Sequence, residues 1–219
     1  MKVLITGGSG FIGSFLCEKL LIEGHNVIAV DNLATGFFDN LSNIKDNPNF
    51  EFVNGDAQDS SLIDSLSKNV DIIFHLAASV GVKLILDQPV KILETNINST
   101  DSVLKAANKH DCMVFLTSTS EIYGKSPDLP YKEDSDRLLG PTTASRWAYS
   151  DSKAIDEFLA LGYHKQYGTN VIIVRLFNTV GPRQTGRYGM VIPRFVRAAL
   201  EGRPLNVYGD GKQRRCFMH

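Results

Sequence analysis

The chain has 219 residues, 43% of them hydrophobic and 21% charged, and a formal net charge of -1. That length can bury a sizeable core in one domain, or in one domain and part of another. The near-neutral charge makes no electrostatic case for nucleic acid or an anionic membrane as partner, and no apolar run reaches the length of a membrane span.

Residues 3–13 carry the strongest local pattern. Val3, Leu4 and Ile5 read as a buried parallel strand. A glycine turn follows, and from Phe11 the apolar residues Ile12, Phe15, Leu16, Leu20 and Leu21 recur at helical spacing. Strand, glycine turn and helix form the context a dinucleotide fingerprint requires. Gly8, Gly10 and Gly13 satisfy one spacing and Gly7, Gly10 and Gly13 another, so spacing alone leaves the register open. Either way, missing side chains let main chain approach a pyrophosphate, and the helix start offers N–H donors.

The second strand, Val27 to Val30, ends at Asp31, about 20 residues beyond the glycines, where a carboxylate can accept both hydroxyls of an adenosine ribose. It repels a 2′-phosphate, so Asp31 favours NAD over NADP. Asn32 opens a polar loop to Asn49. Strands follow at 50–53 and 71–76, with a helix around 60–68 between them. Asp56 is placed to meet the adenine amino group, with Ala57 beside it. Leu76, Ala77 and Ala78 end the 71–76 strand at the cofactor, and the small Ala77 and Ala78 let backbone pass close to it. His75 reads as a packed histidine below the crevice.

A long helix spans about 90–110, and a strand over 112–116 runs into Thr117, Ser118, Thr119 and Ser120. A proline- and glycine-containing loop occupies 123–147. The next helix, 148–167, carries Tyr149 and Lys153 four residues apart on one face. A lysine ammonium favours the phenolate, so the pair predicts a lowered tyrosine pKa and a base for a substrate hydroxyl. Thr119 can orient the same oxygen, and Lys153 can also bond the nicotinamide ribose. A strand at 171–174, a helix near 192–201 and a short apolar stretch at 204–208 complete the chain.

Cys17, Cys112 and Cys216 are few, odd in number and widely spaced, which reads as reduced thiols of a cytoplasmic protein. Neither they nor the five histidines show metal-ligand spacing, so no metal is expected. The N-terminus enters a strand directly, unlike a signal peptide.

Taken together, Thr6 to Gly13, Asp31, His75 to Ala78, Ser118 to Gly124, Tyr149-x-x-x-Lys153 and Arg175 to Asn178 resemble the extended short-chain dehydrogenase/reductase family. Within it the chain is similar to NAD-dependent nucleotide-sugar epimerases, dehydratases and decarboxylases. The resemblance implies an α/β fold: a Rossmann-type doubly wound parallel sheet with a small, C-terminally truncated substrate-binding part. It implies an NAD-binding domain at 1–175 and a partial substrate domain at 176–219, since such proteins continue past the residue matching His219. It implies the glycine register of Gly7, Gly10 and Gly13, with Phe11 and Ile12 inside it, and a catalytic set of Thr119, Tyr149 and Lys153. Asn96 is placed near the active site and cofactor.

For substrate, the resemblance implies roles for Arg215 on a diphosphate and Asn178 on a phosphate or sugar. Val191 falls where the nucleotide base packs, and Arg187 in a loop that faces the sugar. Dehydratases of this family carry Asp-Glu after the catalytic threonine. Here the pair is Ser120-Glu121, similar to UDP-glucuronate decarboxylases. Glu121 is read equally as a proton-handling group and as a carboxylate bonding loop backbone. A UDP-sugar 4-epimerase is the alternative reaction, a carbonyl reductase with diffusible NADH a further enzymatic rival, and a non-catalytic NAD sensor the rival of another class. A homodimer through the helices at 90–110 and 148–167 is also implied.

Overall fold

The computed structural model describes residues 1–79, 85, 87–186 and 189–219. Six parallel strands form one sheet: β1 (Lys2–Thr6), β2 (Asn26–Asp31), β3 (Phe50–Asn54), β4 (Ile72–His75), β5 (Met113–Thr119) and β6 (Val171–Leu176). Their order is β3-β2-β1-β4-β5-β6. The chain builds outward from β1 in one direction, then returns and builds outward in the other. The crevice opens where the order reverses, beyond the carboxyl ends of β1 and β4.

Strand pleating sorts the apolar residues into two cores. Val3 and Ile5 of β1 and Val27 and Ala29 of β2 face α1 (Phe11–Ile22), packing with Cys17, Leu20 and Leu21. Leu4, Ile28 and Val30 face the other way, against α2 (Ser60–Leu66), α3 (Pro89–His110) and α4 (Ala148–Tyr167). The two-sided covering expected of a doubly wound sheet is therefore present. Among the described residues, no helix is long and apolar enough to cross a membrane.

Helix ends follow local chemistry. Asp59 caps α2, its Oδ1 accepting from the Ser61 and Leu62 N–H groups at 3.0 and 3.1 Å. Proline occupies the first turn of α3, and Gly168 closes α4 with a left-handed φ of 78°.

Three differences from the sequence expectations stand out. First, β5 runs to Thr119 rather than ending at Leu116. Its hydroxyl-rich end stays extended because β6 supplies ladder partners: Thr117 opposite Val174, Ser118 opposite Arg175 and Thr119 opposite Leu176. Second, the segment after Asn32 is not a plain loop. A 3-10 turn at Phe38–Leu41 buries Leu41 completely against the α1 side of the core. Third, β7 (Asn178–Thr179) pairs in parallel with β8 (Phe217–Met218), away from the main sheet. Before β8, α5 (Val191–Leu200) packs little of itself, with Ala198 its one buried residue.

Candidate active site

At the end of β1 the turn is built on close main-chain contacts. Gly7 has φ of +74°, in the region that penalises a side chain, and a Cβ there would lie 2.8 Å from the Ala77 nitrogen. A Cβ on Gly13 would lie 2.2 Å from the Gly7 carbonyl oxygen. Gly8 abuts Ala29, while Gly10 is the least crowded of the four, with only the Gly7 oxygen at 3.1 Å. The conformational need sits at Gly7, and packing demands a glycine at Gly8 and Gly13 as well. Gly10 caps α1 without a side-chain bond. The N–H groups of Phe11, Ile12 and Gly13 lie in the first turn, where no intrahelical acceptor exists. This cradle fits a pyrophosphate. Phe11 itself stacks edge-on to Phe15 at 6.2 Å and lies under Gly181, so its ring is a wall and its main chain the donor.

Asp31 is held by two backbone donors, Ser9 N–H on Oδ2 at 3.0 Å and Leu33 N–H on Oδ1 at 2.8 Å. The carboxylate is thereby locked to the glycine turn, with lone pairs left for a ribose. Asn32 donates to Asp56 Oδ2 at 2.9 Å, and Asp56 Oδ1 accepts from the Gln58 N–H at the same distance. Burial pushes the Asp56 carboxyl up, but the hydrogen bonds from Gln58 and Asn32 outweigh it and hold the pKa below its ordinary value. Ala57 is buried in the core with Ile63 and Val30, so it offers the crevice main chain only. Leu76 and Ala77 hang from Thr6, their N–H groups donating to its carbonyl and hydroxyl oxygens at 3.1 and 3.2 Å. Ala78, half-buried, continues the same wall. The residues present fit an adenine dinucleotide.

His75 lies beneath this wall with 1% exposure. Its Nδ1 meets the Thr6 hydroxyl at 2.8 Å and its Nε2 the Thr100 hydroxyl at 3.2 Å. Burial, and then the Lys153 charge, push its pKa down to about 3, so the ring is a neutral packing group.

The hydroxyl-rich end of β5 and the first turns of α4 bring the reactive side chains together. Thr119 is buried, and its Oγ1 accepts the Glu121 N–H at 3.2 Å. Ser150 donates to the Glu121 carbonyl at 2.8 Å, tying α4 to that turn. Among the described residues the Glu121 carboxylate itself makes no hydrogen bond; its main chain does the bonding. Its charge acts on Tyr149 instead. The structure thus leaves the backbone-bonding reading of that carboxylate without a partner.

The expected electrostatics of Tyr149 are corrected. Desolvation of the hydroxyl is the largest effect and pushes its pKa well above the ordinary value. The Thr119 hydroxyl beside it works in the opposite direction, while the charges of Asp156 and Glu121 push it further up. The Lys153 ammonium is shared with an anion, its Nζ paired with Asp156 Oδ2 at 2.8 Å. Asp156 stands three residues after Lys153 on α4, on the same face. That spacing was the available signal for it, and the sequence reading missed it.

Asn96 lies buried on α3. Its Oδ1 accepts the Ser79 N–H at 2.8 Å and its amide donates to Ser152 Oγ at 3.1 Å, so it braces the β4 loop against the residue beside Lys153. A second brace also went unread. Glu157 accepts from Ser118 and takes a two-point bond from Arg175, at 2.9 Å to Nε and 2.8 Å to Nη2. It fastens α4 to both β5 and β6. Arg183 does the same for the segment after β7, donating to Ser14 and Glu18 of α1.

Toward the C-terminus the expected substrate residues divide. Val191 and Arg215 line one groove of about 630 Å³, together with Arg194, Arg197, Arg203 and Tyr208. The Asn178 amide nitrogen donates to the Cys216 carbonyl at 2.8 Å and pins β7 to the start of β8. Arg187 lies outside the described residues.

Comparison with known proteins gives a consistent picture. A family model described as "NAD dependent epimerase/dehydratase family" matches residues 3–219. A UDP-N-acetyl-alpha-D-glucosaminuronate decarboxylase of Bacillus cytotoxicus is 45% identical over 222 residues, covering 100% of this chain and 67% of that protein. UDP-glucuronic acid decarboxylase 1 of Arabidopsis thaliana is 38% identical, over 100% of this chain and 49% of its own length. The solved DesIV structure, a dTDP-glucose 4,6-dehydratase from Streptomyces venezuelae with NAD and TYD bound, superposes with a TM-score of 0.91 at 33% identity. That match covers 100% of this chain and 68% of the dehydratase chain. The chain thus spans about half to two thirds of the proteins it resembles.

Proposed function

The chain belongs to the NAD dependent epimerase/dehydratase family, and we propose that it decarboxylates a UDP-linked hexuronate, UDP-glucuronate or its close kin, through a transient 4-keto sugar. The observation that carries this reading is the meeting of Thr119, Glu121 and the helix bearing Tyr149, tied by the Glu121 N–H to Thr119 Oγ1 and by Ser150 to the Glu121 carbonyl. A base, an orienting hydroxyl and a carboxylate at one phenol suit oxidation of a sugar hydroxyl followed by proton handling at the adjacent carbon. The decarboxylase relatives support the same outcome.

In this mechanism Gly7, Gly10, Gly13 and the α1 N-terminus hold the pyrophosphate, with Asp31 on the ribose and Asp56 near the adenine. When bound, NAD supplies the hydride acceptor for C4 and the hydride donor that later restores it. Tyr149 takes the C4 hydroxyl proton, Thr119 orients that oxygen, and Lys153 stabilises the phenolate. The β-keto acid then breaks its C5–C6 bond; carbon dioxide leaves and the electron pair passes to the ketone as an enolate. Glu121 directs a proton to C5, and Tyr149 returns its proton to the C4 oxygen. Desolvation disfavours the phenolate, so the lysine contribution decides how readily Tyr149 acts.

We further place the boundary between dinucleotide and substrate parts at residues 175 and 176. Arg215 and Val191 act on the nucleotide in the arginine-lined groove, where a fork of donors suits diphosphate oxygens. Ile155, Phe158 and Leu161 are exposed along α4 at helical spacing, which supports a homodimer through that face. Three free thiols suit a cytoplasmic setting.

Incubating the full-length protein with UDP-glucuronate and following products by NMR tests the reaction. Carbon dioxide and a UDP-pentose are expected. Inversion at C4 without carbon dioxide replaces the decarboxylase with a UDP-sugar 4-epimerase. Tight NAD binding with no turnover of any UDP-sugar favours the sensor.

A further inference from the structure

Lys153 and Asp156 form an ion pair with side-chain exposures of 3% and 0%. Only one carboxylate oxygen is used. Asp156 Oδ1 is buried with no partner within hydrogen-bond distance among the described residues; burial pushes the carboxyl up, and Lys153, with the Thr100 hydroxyl, works against that. Its neighbour Glu157 shows what a structural carboxylate looks like here, with both oxygens engaged by Ser118 and Arg175. A buried pair with an orphaned oxygen is poor structural glue, since desolvating two charges is repaid only when their remaining bonds are satisfied.

We infer that Asp156 is a positioning residue: it holds the Lys153 ammonium on α4 and restrains the ionisation of Tyr149. Among the described residues, Asp156 is the one anion paired with Lys153, and its charge also acts on Tyr149. Asp156 thus competes with Tyr149 for the same cation and adds its own negative charge nearby.

The groups facing this pair from each packed element leave Asp156 as the controlling one. On α4 are Tyr149 and Glu157; Glu157 is committed to Arg175 of β6. From α3, Thr100 and Asn96 are neutral, and from β4, His75 is held neutral by its burial. Beyond β5, Thr119 is neutral and Glu121 is the remaining charge, acting on Tyr149 from an exposed position.

The inference rests on Tyr149 as the base, so its test has two separate readouts. In the NAD-loaded full chain, D156N is expected to move the acid limb of the kcat–pH profile about one unit lower, roughly tenfold more rate at a fixed pH on that limb. A purely structural role for Asp156 would lower kcat at every pH and leave the limb where it is. The second readout does not need turnover: with ¹³Cζ-labelled tyrosine, assigned through Y149F, the Tyr149 resonance begins to ionise at lower pH in D156N than in the parent. If no UDP-sugar turns over but this resonance shifts, the proposed reaction fails and the Asp156 coupling stands. An unmoved limb together with an unmoved resonance overturns the coupling. Should D156N not fold, D156S, equally neutral and smaller, is read in the same way with the same expectation.

Discussion

The α-carbon of Gly13 faces the carbonyl oxygen of Gly7 so closely that a Cβ would stand 2.2 Å from it. The first turn of α1 therefore rests on the main chain of the glycine loop. Gly13→Ala must displace either the helix or the loop. A loss of about 2 kcal/mol in urea denaturation is expected, with NAD affinity falling in calorimetry. Gly162 is the matched control: it sits in α4, and nothing lies within 4 Å of its Cβ position. Gly162→Ala should stabilise by about 0.5–1 kcal/mol through helix propensity. Equal effects at the two glycines would show that the close contact does not matter.

Tyr149→Phe removes the hydroxyl on which Thr119, Glu121 and Asp156 act. Turnover in the full-length protein should fall by about three orders of magnitude, in the range of general acid–base effects. NAD affinity should hold, because the pyrophosphate cradle and Asp31 lie at the other end of the crevice. Undiminished turnover would remove Tyr149 from the mechanism.

His75 gives the fold an acid-sensitive point. Its pKa is about 3 in the folded chain against an ordinary value of 6.5. Between those values the unfolded chain binds the proton and the folded chain does not, so stability rises with pH across that window. The contribution is complete above pH 6.5 and is lost progressively as pH falls toward 3, about 5 kcal/mol in all. Urea midpoints taken from pH 7 to 4 should fall steeply, and His75→Gln should flatten the slope even though it costs some stability at neutral pH. Identical slopes would acquit His75.

Phe158 is 68% exposed on α4, between Ile155 and Leu161. Burying such a stripe against a second copy is worth about 25 cal/mol per Å² before association costs. In sedimentation velocity, the parent is expected to run as a dimer and Phe158→Asp as a monomer with an unchanged circular dichroism spectrum. A monomeric parent would end the dimer proposal.

Much of this site is legible from residue order. Glycines at 7, 10 and 13, an acid at Asp31 and apolar runs of four to six residues report local φ/ψ demands and burial, and these survive in one dimension. The strand ends read in sequence do lie along one crevice, because a parallel sheet delivers every carboxyl end to the same side. Asn178 illustrates the limit. The resemblance implied a phosphate or sugar ligand for it; the fold also gives one of its amide protons a bond to the Cys216 carbonyl, 38 residues on. The end of β5 is another: Thr117, Ser118 and Thr119 continue no apolar run and stay extended because β6 lies alongside.

Sequence by itself determined the glycine turn, the alternation of strand and helix, and the set of side chains proposed for catalysis. Tertiary structure alone decided how those side chains are charged and paired. Lys153 lies four residues from Tyr149 and three from Asp156, and helical spacing permits either contact. The choice falls to Asp156 because both groups sink into a pocket closed by α3 and β4, where low dielectric strengthens the nearest opposite charge and desolvation keeps the phenol neutral. That competition depends on depth and neighbours, which spacing along one helix does not encode.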